Sequence, residues 1–207
     1  IRVTSAIFRD ITSTIVTVTS LEEAEMVKLI NNSFRDYIFA FSNHIAKIAS
    51  KYNINAHRLI NSSNKGYIRD PIPYPSPGVG GPCLTKDPYI FSTITKLNLG
   101  NQTSLFEYGR MINESMHKYI VDKVVSEINK LGKDISKSKI FVCGLAFKGR
   151  PETGDVRNSS AVEIYHLLKE STKNIMGHDP VASIEEIKDV GVTSVEFQEG
   201  IKNSDVV

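Results

Sequence analysis

Cysteine is scarce in this chain: Cys83 and Cys143 are the two among 207 residues, sixty positions apart, which makes neither a disulfide framework nor a metal knuckle. Charge of one sign is missing too. The formal net charge is +2, and lysines and arginines are scattered among acids, so there is no basic stripe for nucleic acid to follow. No apolar run is long enough for a membrane span, and no basic stretch leads into an apolar block with a small-residue cleavage site; the expectation is a cytoplasmic protein. The five histidines lack metal-ligand spacing and read as structural or surface residues, so no metal site is expected. Neither a G-x-G-x-x-G turn nor a Walker lysine occurs. The chain opens on Ile1 and closes on "NSDVV", which resembles the start of a strand, so both ends read as cuts within a longer protein.

What remains is an ordinary globular composition, 41% hydrophobic and 23% charged, long enough to bury a sizeable core. Residues 14–18, "TIVTV", are β-branched and alternate, which predicts a short strand. Ser20 followed by Glu23 predicts a capping box. It opens one long helix with apolar residues at Ala24, Val27, Ile30, Phe34, Ile38, Phe41, Ile45 and Ile48. A shorter helix is expected over Ala56 to Ser62, then a proline-rich loop through residue 82. Asp87 before Pro88 reads as an N-cap with proline in the first helical position, and that helix runs to about Leu97. Ser104 and Glu107 predict a second capping box and a helix reaching Gly132, a rod of roughly 40 Å.

After Gly132 the texture changes. "KIFVCGLAF" reads as a buried strand, "SSAVEIYHLLKE" as a helix, "NIMGHD" as a second strand, "SIEEIKDVG" as a helix and "VTSVEF" as a third strand. Strands alternating with helices argue for parallel βαβ units. The fold class is therefore mixed: a mostly α-helical region followed, from about residue 133, by a partial α/β Rossmann-like half.

The stretch "PSPGVGGPCLTKD", residues 75–87, puts two prolines and three glycines in the seven residues before the rare Cys83. Such a backbone has little side-chain bulk and lets a ligand approach the main chain. Cys83 precedes a helix N-terminus, whose dipole and free amides favour a thiolate, so a nucleophile is expected over a small buried hydrophobe. Cys143, in mid-strand, is expected to be packed and inert. Lys28, Asn32 and Arg35 share one helix face, where solvated charge is the plainer explanation for each alone. Asp87 has a sufficient role as a cap, and Lys86 as a surface charge. The turn at 144–160 follows a strand and precedes a helix, where α/β sheets place ligands. On spacing alone, Lys148, Arg150 and Arg157 fit phosphate binding and a solvated basic turn equally.

Four segments together resemble the UDP-glucose/GDP-mannose dehydrogenase family, the nucleotide-sugar 6-dehydrogenases: "EEAEMVKLINNSFRD" (22–36), "PSPGVGGPCLTKDPY" (75–89), "RMINESM" (110–116) and "GLAFKGRPETGDVRNSSAVEI" (144–164). The "PGVGG" and "DPY" are most similar to the UDP-N-acetyl-D-mannosamine dehydrogenase branch, whereas "TKD" is closer to the UDP-glucose branch. The resemblance implies residues 1–19 as the remnant of an N-terminal NAD-binding domain, 20–132 as a helical dimerisation domain, and 133–207 as part of a UDP-sugar-binding domain. NAD is the implied cofactor, a UDP-sugar the implied substrate, and a homodimer the implied assembly.

By residue, the family pattern makes Cys83 the nucleophile, with Lys28 and Asn32 stabilising the oxyanion and Asp87 positioning or activating water. It places Gly80, Phe147 and Lys148 on the sugar nucleotide, and Arg69 in a neighbouring subunit's substrate site. Lys86 and Arg157 would touch the cofactor. The segment between Lys148 and Arg157 runs about two residues longer than the family spacing. Two other readings compete: a non-catalytic dimerisation and nucleotide-sugar-binding module, and a thiol hydrolase needing a histidine against Cys83.

Overall fold

The computed structural model describes residues 2–100 and 104–207. Its helices in the first part are α1 (Arg2–Arg9), α2 (Leu21–Lys51), α3 (Ala56–Asn64), α4 (Asp87–Leu99) and α5 (Leu105–Lys130). The second part holds β1 (Ile140–Cys143), α6 (Ser160–Lys169), β2 (Ile175–His178), α7 (Ile184–Asp189) and α8 (Phe197–Lys202). The expected mixed architecture, helical first and α/β second, is what forms.

The starts and stops of the helices follow local chemistry. Ser20 caps α2 by accepting from the Glu23 amide, while the Glu23 carboxylate reaches back to Thr19 N and Oγ1, both at 2.7 Å, instead of closing the box on Ser20. Three helices end alike. Asn53, Gly132 and Gly191 adopt positive φ just past α2, α5 and α7, and in each case the next amide returns to a carbonyl five residues back, as in Ile54 N to Ala49 O at 2.9 Å. Ser104 caps α5 through the Phe106 amide, but the expected box with Glu107 does not form. The Glu107 carboxylate accepts from Ser92 Oγ and Lys96 Nζ instead, fastening α5 to α4.

Two expected strands are absent. Residues 14–18 run as irregular chain after α1, because a lone strand has no ladder to join and none of the described residues supplies one. In "VTSVEF" a single parallel bridge, Gly177 to Ser194, is all that forms before Glu196 caps α8. β1 is also shorter than "KIFVCGLAF", since Gly144 turns left-handed at φ 87° and ends it.

β1 and β2 pair in parallel, Ile140 with Ile175 through Cys143 with His178. Single parallel bridges, Ile140 to Val206 beside β1 and Gly177 to Ser194 beside β2, flank this two-stranded sheet on both sides. Gly177 is required there. A Cβ on it would sit 2.6 Å from Val192 Cγ1.

One rod serves two cores. The early half of α5 carries buried Gly109, Arg110, Asn113 and Met116 against α2. Its late half, through Ile120, Val121, Val124 and Ile128, joins the apolar cluster of Ile140, Leu145, Tyr165, Leu168 and Ile187 under the sheet. Among the described residues no helix is long and apolar enough to cross a membrane.

Candidate active site

The glycine loop is shaped by close approach on both sides. Gly78 and Gly81 take φ of 135° and 92°, where a side chain is strained, and the Gly81 amide donates to Asn158 O at 2.9 Å. A Cβ on Gly81 would lie 2.7 Å from the Phe147 ring, and one on Gly80 would collide with the Asn158 carbonyl oxygen. The loop is thus pressed against the turn that precedes α6. Gly80→Ala is expected to cost about 2 kcal/mol, a Tm lower by roughly 4–8 °C in calorimetry, because backbone and not a flexible side chain must give way.

Past the glycines the chain coils into α4, with the Cys83 carbonyl accepting from the amides of Lys86 and Asp87 at 3.2 and 2.9 Å. Cys83 is a free, half-buried thiol lining a cavity of about 370 Å³. α2 supplies Asn32, Arg35 and Phe39 to that cavity, the loop supplies Gly80 and Gly81, and the β1–α6 turn supplies Phe147 and Lys148. The Cys83 thiol thus opens onto a cavity walled in part by Asn32, and Lys28 is not among its lining residues. Among the described residues no histidine lines it, which removes the thiol-hydrolase reading.

Asp87 is not a cap. It occupies the first position of α4, fully buried, and its carboxylate accepts from Asn32 Nδ2 at 2.6 Å and Lys86 Nζ at 2.7 Å, with Lys28 Nζ at 3.6 Å. An Asp-Pro pair fits the cap and the first helical turn equally well in sequence, and the neighbouring cations decide for the latter. Burial pushes this carboxyl up, but Lys86, Asn32 and Lys28 outweigh it and hold it below the usual carboxylate range. Lys86 is held protonated in return by Asp87. Lys28, Asn32, Lys86 and Asp87 thus form one polar cluster, of which Asn32 lines the cavity together with Cys83.

Two residues of the family pattern, Arg69 and Arg157, lie away from this cavity, and Cys143 is not packed as expected. Arg69 lines a separate groove of about 320 Å³ with Phe34, Phe41 and Pro71. Arg157 folds onto Asp155, Nε to Oδ1 at 2.9 Å and Nη2 to Oδ2 at 2.7 Å, pulling the Asp155 carboxyl down to about 2. That pair faces Thr153 and Asp189, and Arg157 is not among the residues around Cys83. Cys143 is exposed at the end of β1, not packed; partial burial and Asp179 push its thiol pKa up, which keeps it protonated.

Sequence reasoning missed the supports. Arg110 is fully buried and donates from Nη1 to Asp36 Oδ1 at 2.7 Å, from Nη2 to Val79 O at 2.8 Å and from Nε to Glu114 Oε1 at 3.1 Å. Burial pushes the Asp36 carboxyl up to about 6 against the pull of Arg110 and Asn113. Asp179 accepts from the amides of Leu145, Ala146, Val181 and Ala182 at 2.7–2.9 Å, tying the two turns at the C-terminal ends of the strands together. Its pKa stays low, as those four amides outweigh burial. The one available signal was the presence of charged residues at helix positions that also face apolar neighbours.

A helical core joined to a parallel half-sheet, with a thiol loop wedged between them, defines a two-part protein, helical first and α/β second. The class can be made specific. Residues 22–115 match the central domain of the UDP-glucose/GDP-mannose dehydrogenase family and residues 141–207 its UDP binding domain. The chain belongs to that family. It is 36% identical over 162 residues to UDP-N-acetyl-D-mannosamine dehydrogenase of Pyrococcus horikoshii, covering 78% of this chain and 37% of that protein. To the protein of the same name from Methanococcus aeolicus it is 33% identical over 190 residues, covering 92% and 40%. The solved UDP-D-ManNAc dehydrogenase from Pyrococcus horikoshii superposes with a TM-score of 0.82 at 30% identity, over 99% of this chain and 46% of that one. A UDP-glucose dehydrogenase structure from Pyrobaculum islandicum gives 0.80 at 28% identity, over 99% and 48%. The chain thus spans less than half the length of these relatives.

Proposed function

We propose that this chain supplies the thiol core and the sugar-nucleotide lobe of an NAD-dependent UDP-sugar 6-dehydrogenase, acting first on a UDP-N-acetylhexosamine such as UDP-N-acetylmannosamine, with UDP-glucose as the alternative. The observation that carries the reading is Cys83 opening into a cavity shared with Asn32, beside a buried Asp87 held by Asn32, Lys86 and Lys28. The relatives' names point to the same chemistry. In this reading residues 1–19 are the remnant of the cofactor domain, 20–132 the dimerisation core and 133–207 part of the UDP-sugar domain, in a cytoplasmic enzyme.

Oxidation of a hydroxymethyl group to a carboxylate removes four electrons as two hydrides, which NAD accepts when bound. Among the described residues nothing fits an NAD site. The β1–α6 turn lacks the dinucleotide glycines, Arg157 is turned onto Asp155, and Lys86 is paired with Asp87 and does not line the cavity. This reading puts the cofactor's site outside the described residues, and the chain covers 37% of the Pyrococcus horikoshii relative.

What this chain contributes is covalent catalysis. The Cys83 thiolate adds to the C6 aldehyde, and its sulfur stays bonded to C6 until the thioester is reached. Each tetrahedral stage carries an oxyanion, which the Lys28 ammonium and the remaining Asn32 N–H stabilise. Water then adds to the thioester carbon, and the tetrahedral species expels the Cys83 thiolate and leaves the carboxylate. Asp87, with its lowered pKa, is a weak proton acceptor but a firm hydrogen-bond acceptor, so it orients that water.

Assembly follows from the exposed apolar face of α2. Val27, Ile30, Phe34, Phe41 and Ile48 all face solvent in one chain, a surface suited to a second copy. Arg69, in the groove beside Phe34 and Phe41, would then reach the neighbour's substrate site. The absent dinucleotide turn also favours a second reading, a non-catalytic sugar-nucleotide-binding dimer.

Calorimetry on this chain tests the binding half of the proposal. UDP-N-acetylmannosamine is expected to bind in the micromolar to millimolar range, NAD alone not at all, and Lys148→Met to weaken the sugar nucleotide about 10-fold, or about 1.4 kcal/mol. Absence of UDP-sugar binding, or NAD binding without it, overturns the assignment of the lobes.

A further inference from the structure

We infer that Arg110 is a positioning residue: its guanidinium sets the backbone on both sides of Cys83, and so the place of the thiol, beyond neutralising the buried Asp36. The inference rests on the reading of Cys83 as nucleophile. Arg110 lines no part of the cavity and acts through the loop.

The argument begins with the count of donors. An ion pair with Asp36 occupies one direction of Nη1, yet the same nitrogen also donates to Leu84 O at 3.2 Å, and Nη2 donates to Val79 O at 2.8 Å. Val79 lies before the double glycine and Leu84 directly after Cys83. The rigid fork of the guanidinium therefore spans the turn that carries the thiol, a geometry no point charge reproduces.

The same buried network holds the entry to the loop. Asp36 Oδ1 and O accept from Asn113 Nδ2 at 2.9 Å, Asn113 Oδ1 accepts from Asn43 Nδ2 at 2.9 Å, and Asn43 Oδ1 accepts from the Ser76 amide at 2.7 Å. From the opposite side Asn158 O receives the Gly81 amide. The loop is fixed at Ser76, Val79, Gly81 and Leu84, with Cys83 inside the span. Stability alone does not account for such a device, because a buried ion pair is often no more stabilising than an apolar pair of the same volume.

The test separates charge from placement. Arg110→Met alone strands the Asp36 carboxylate and lowers Tm; adding Asp36→Asn removes the stranded charge and restores most of it. In the double variant the amides of residues 78–84 are nevertheless expected to exchange hydrogen at least about 10-fold faster than in the wild type, because the carbonyl anchors are gone. In the complete enzyme kcat is expected to stay about 100-fold down with KM for the UDP-sugar little changed, as a displaced nucleophile would give.

Wild-type exchange in the loop of the double variant overturns the inference, whatever the turnover. Loosened amides with undiminished turnover instead overturn the role given to Cys83, and leave the placement of the loop by Arg110 standing. Should the double variant not fold, Arg110→Lys serves: it keeps a cation beside Asp36 but cannot bridge both carbonyls. The same faster exchange, with a fall of about 10-fold in kcat, is expected of it, and wild-type values for both overturn the inference.

Discussion

Cys83→Ala is expected to lower uronate formation by about 10⁴-fold or more in the complete enzyme, the scale on which loss of a catalytic nucleophile acts. The fold should survive it. The thiol is half-buried in a cavity wall and makes no contribution to the apolar cluster, so the thermal midpoint should move by no more than about 4 °C, and UDP-sugar affinity should hold. The variant should also stall at the aldehyde, which a carbonyl trap such as hydroxylamine would capture. Cys143→Ala is the matched control, with an exposed, protonated thiol remote in sequence from the loop, and it should turn over at the normal rate. Normal turnover by Cys83→Ala would reject the covalent route outright.

Lys28→Met and Asn32→Ala should each lower kcat by about 10²- to 10³-fold, with smaller changes in KM, because both groups meet charge that exists fully only at the tetrahedral stages. They also share Asp87, so their effects will not add. The pH dependence follows from the same cluster. In the proposed reaction Asp87 acts as the anion, and its pKa lies below the ordinary range, so the acid limb is expected to lie low, with activity falling only as pH drops through that lowered value. Its contribution to stability has the same sign: present above the unfolded carboxylate value, lost as pH falls through the folded one. Lys86→Met removes a cation that lowers this pKa, so the acid limb of kcat/KM should move to higher pH. An unmoved limb would remove Asp87 from the reaction.

How far the sequence reveals these features depends on how local their causes are. The cap at Ser20 and the left-handed stops at Gly132 and Gly191 are decided within a few residues, and they can be read directly. The glycine loop is similar, since few functions besides close approach demand "PGVGGPC". Residues 14–18 have strand chemistry without a partner, and strand pairing is not encoded in the strand itself. Asp87 was misread because the three groups that hold it include Lys28 and Asn32, more than fifty positions away in the chain. Arg110 is harder still. In "EYGRMINE" it has the appearance of a solvated helix charge, and only the packing of α2 and the loop over it shows that it is sealed in. Arg157 shows the converse: an arginine at a family position whose own neighbour, Asp155, claims it.

The continuity of α5 has a further consequence. Because one uninterrupted helix anchors the polar net near its beginning and the apolar cluster near its end, the two parts have no joint between them along that axis. The opening between the α2 wall and the basic turn is then a fixed gap, measured out by helical rise. Widening or narrowing that gap would require α5 itself to bend, since no hinge interrupts it.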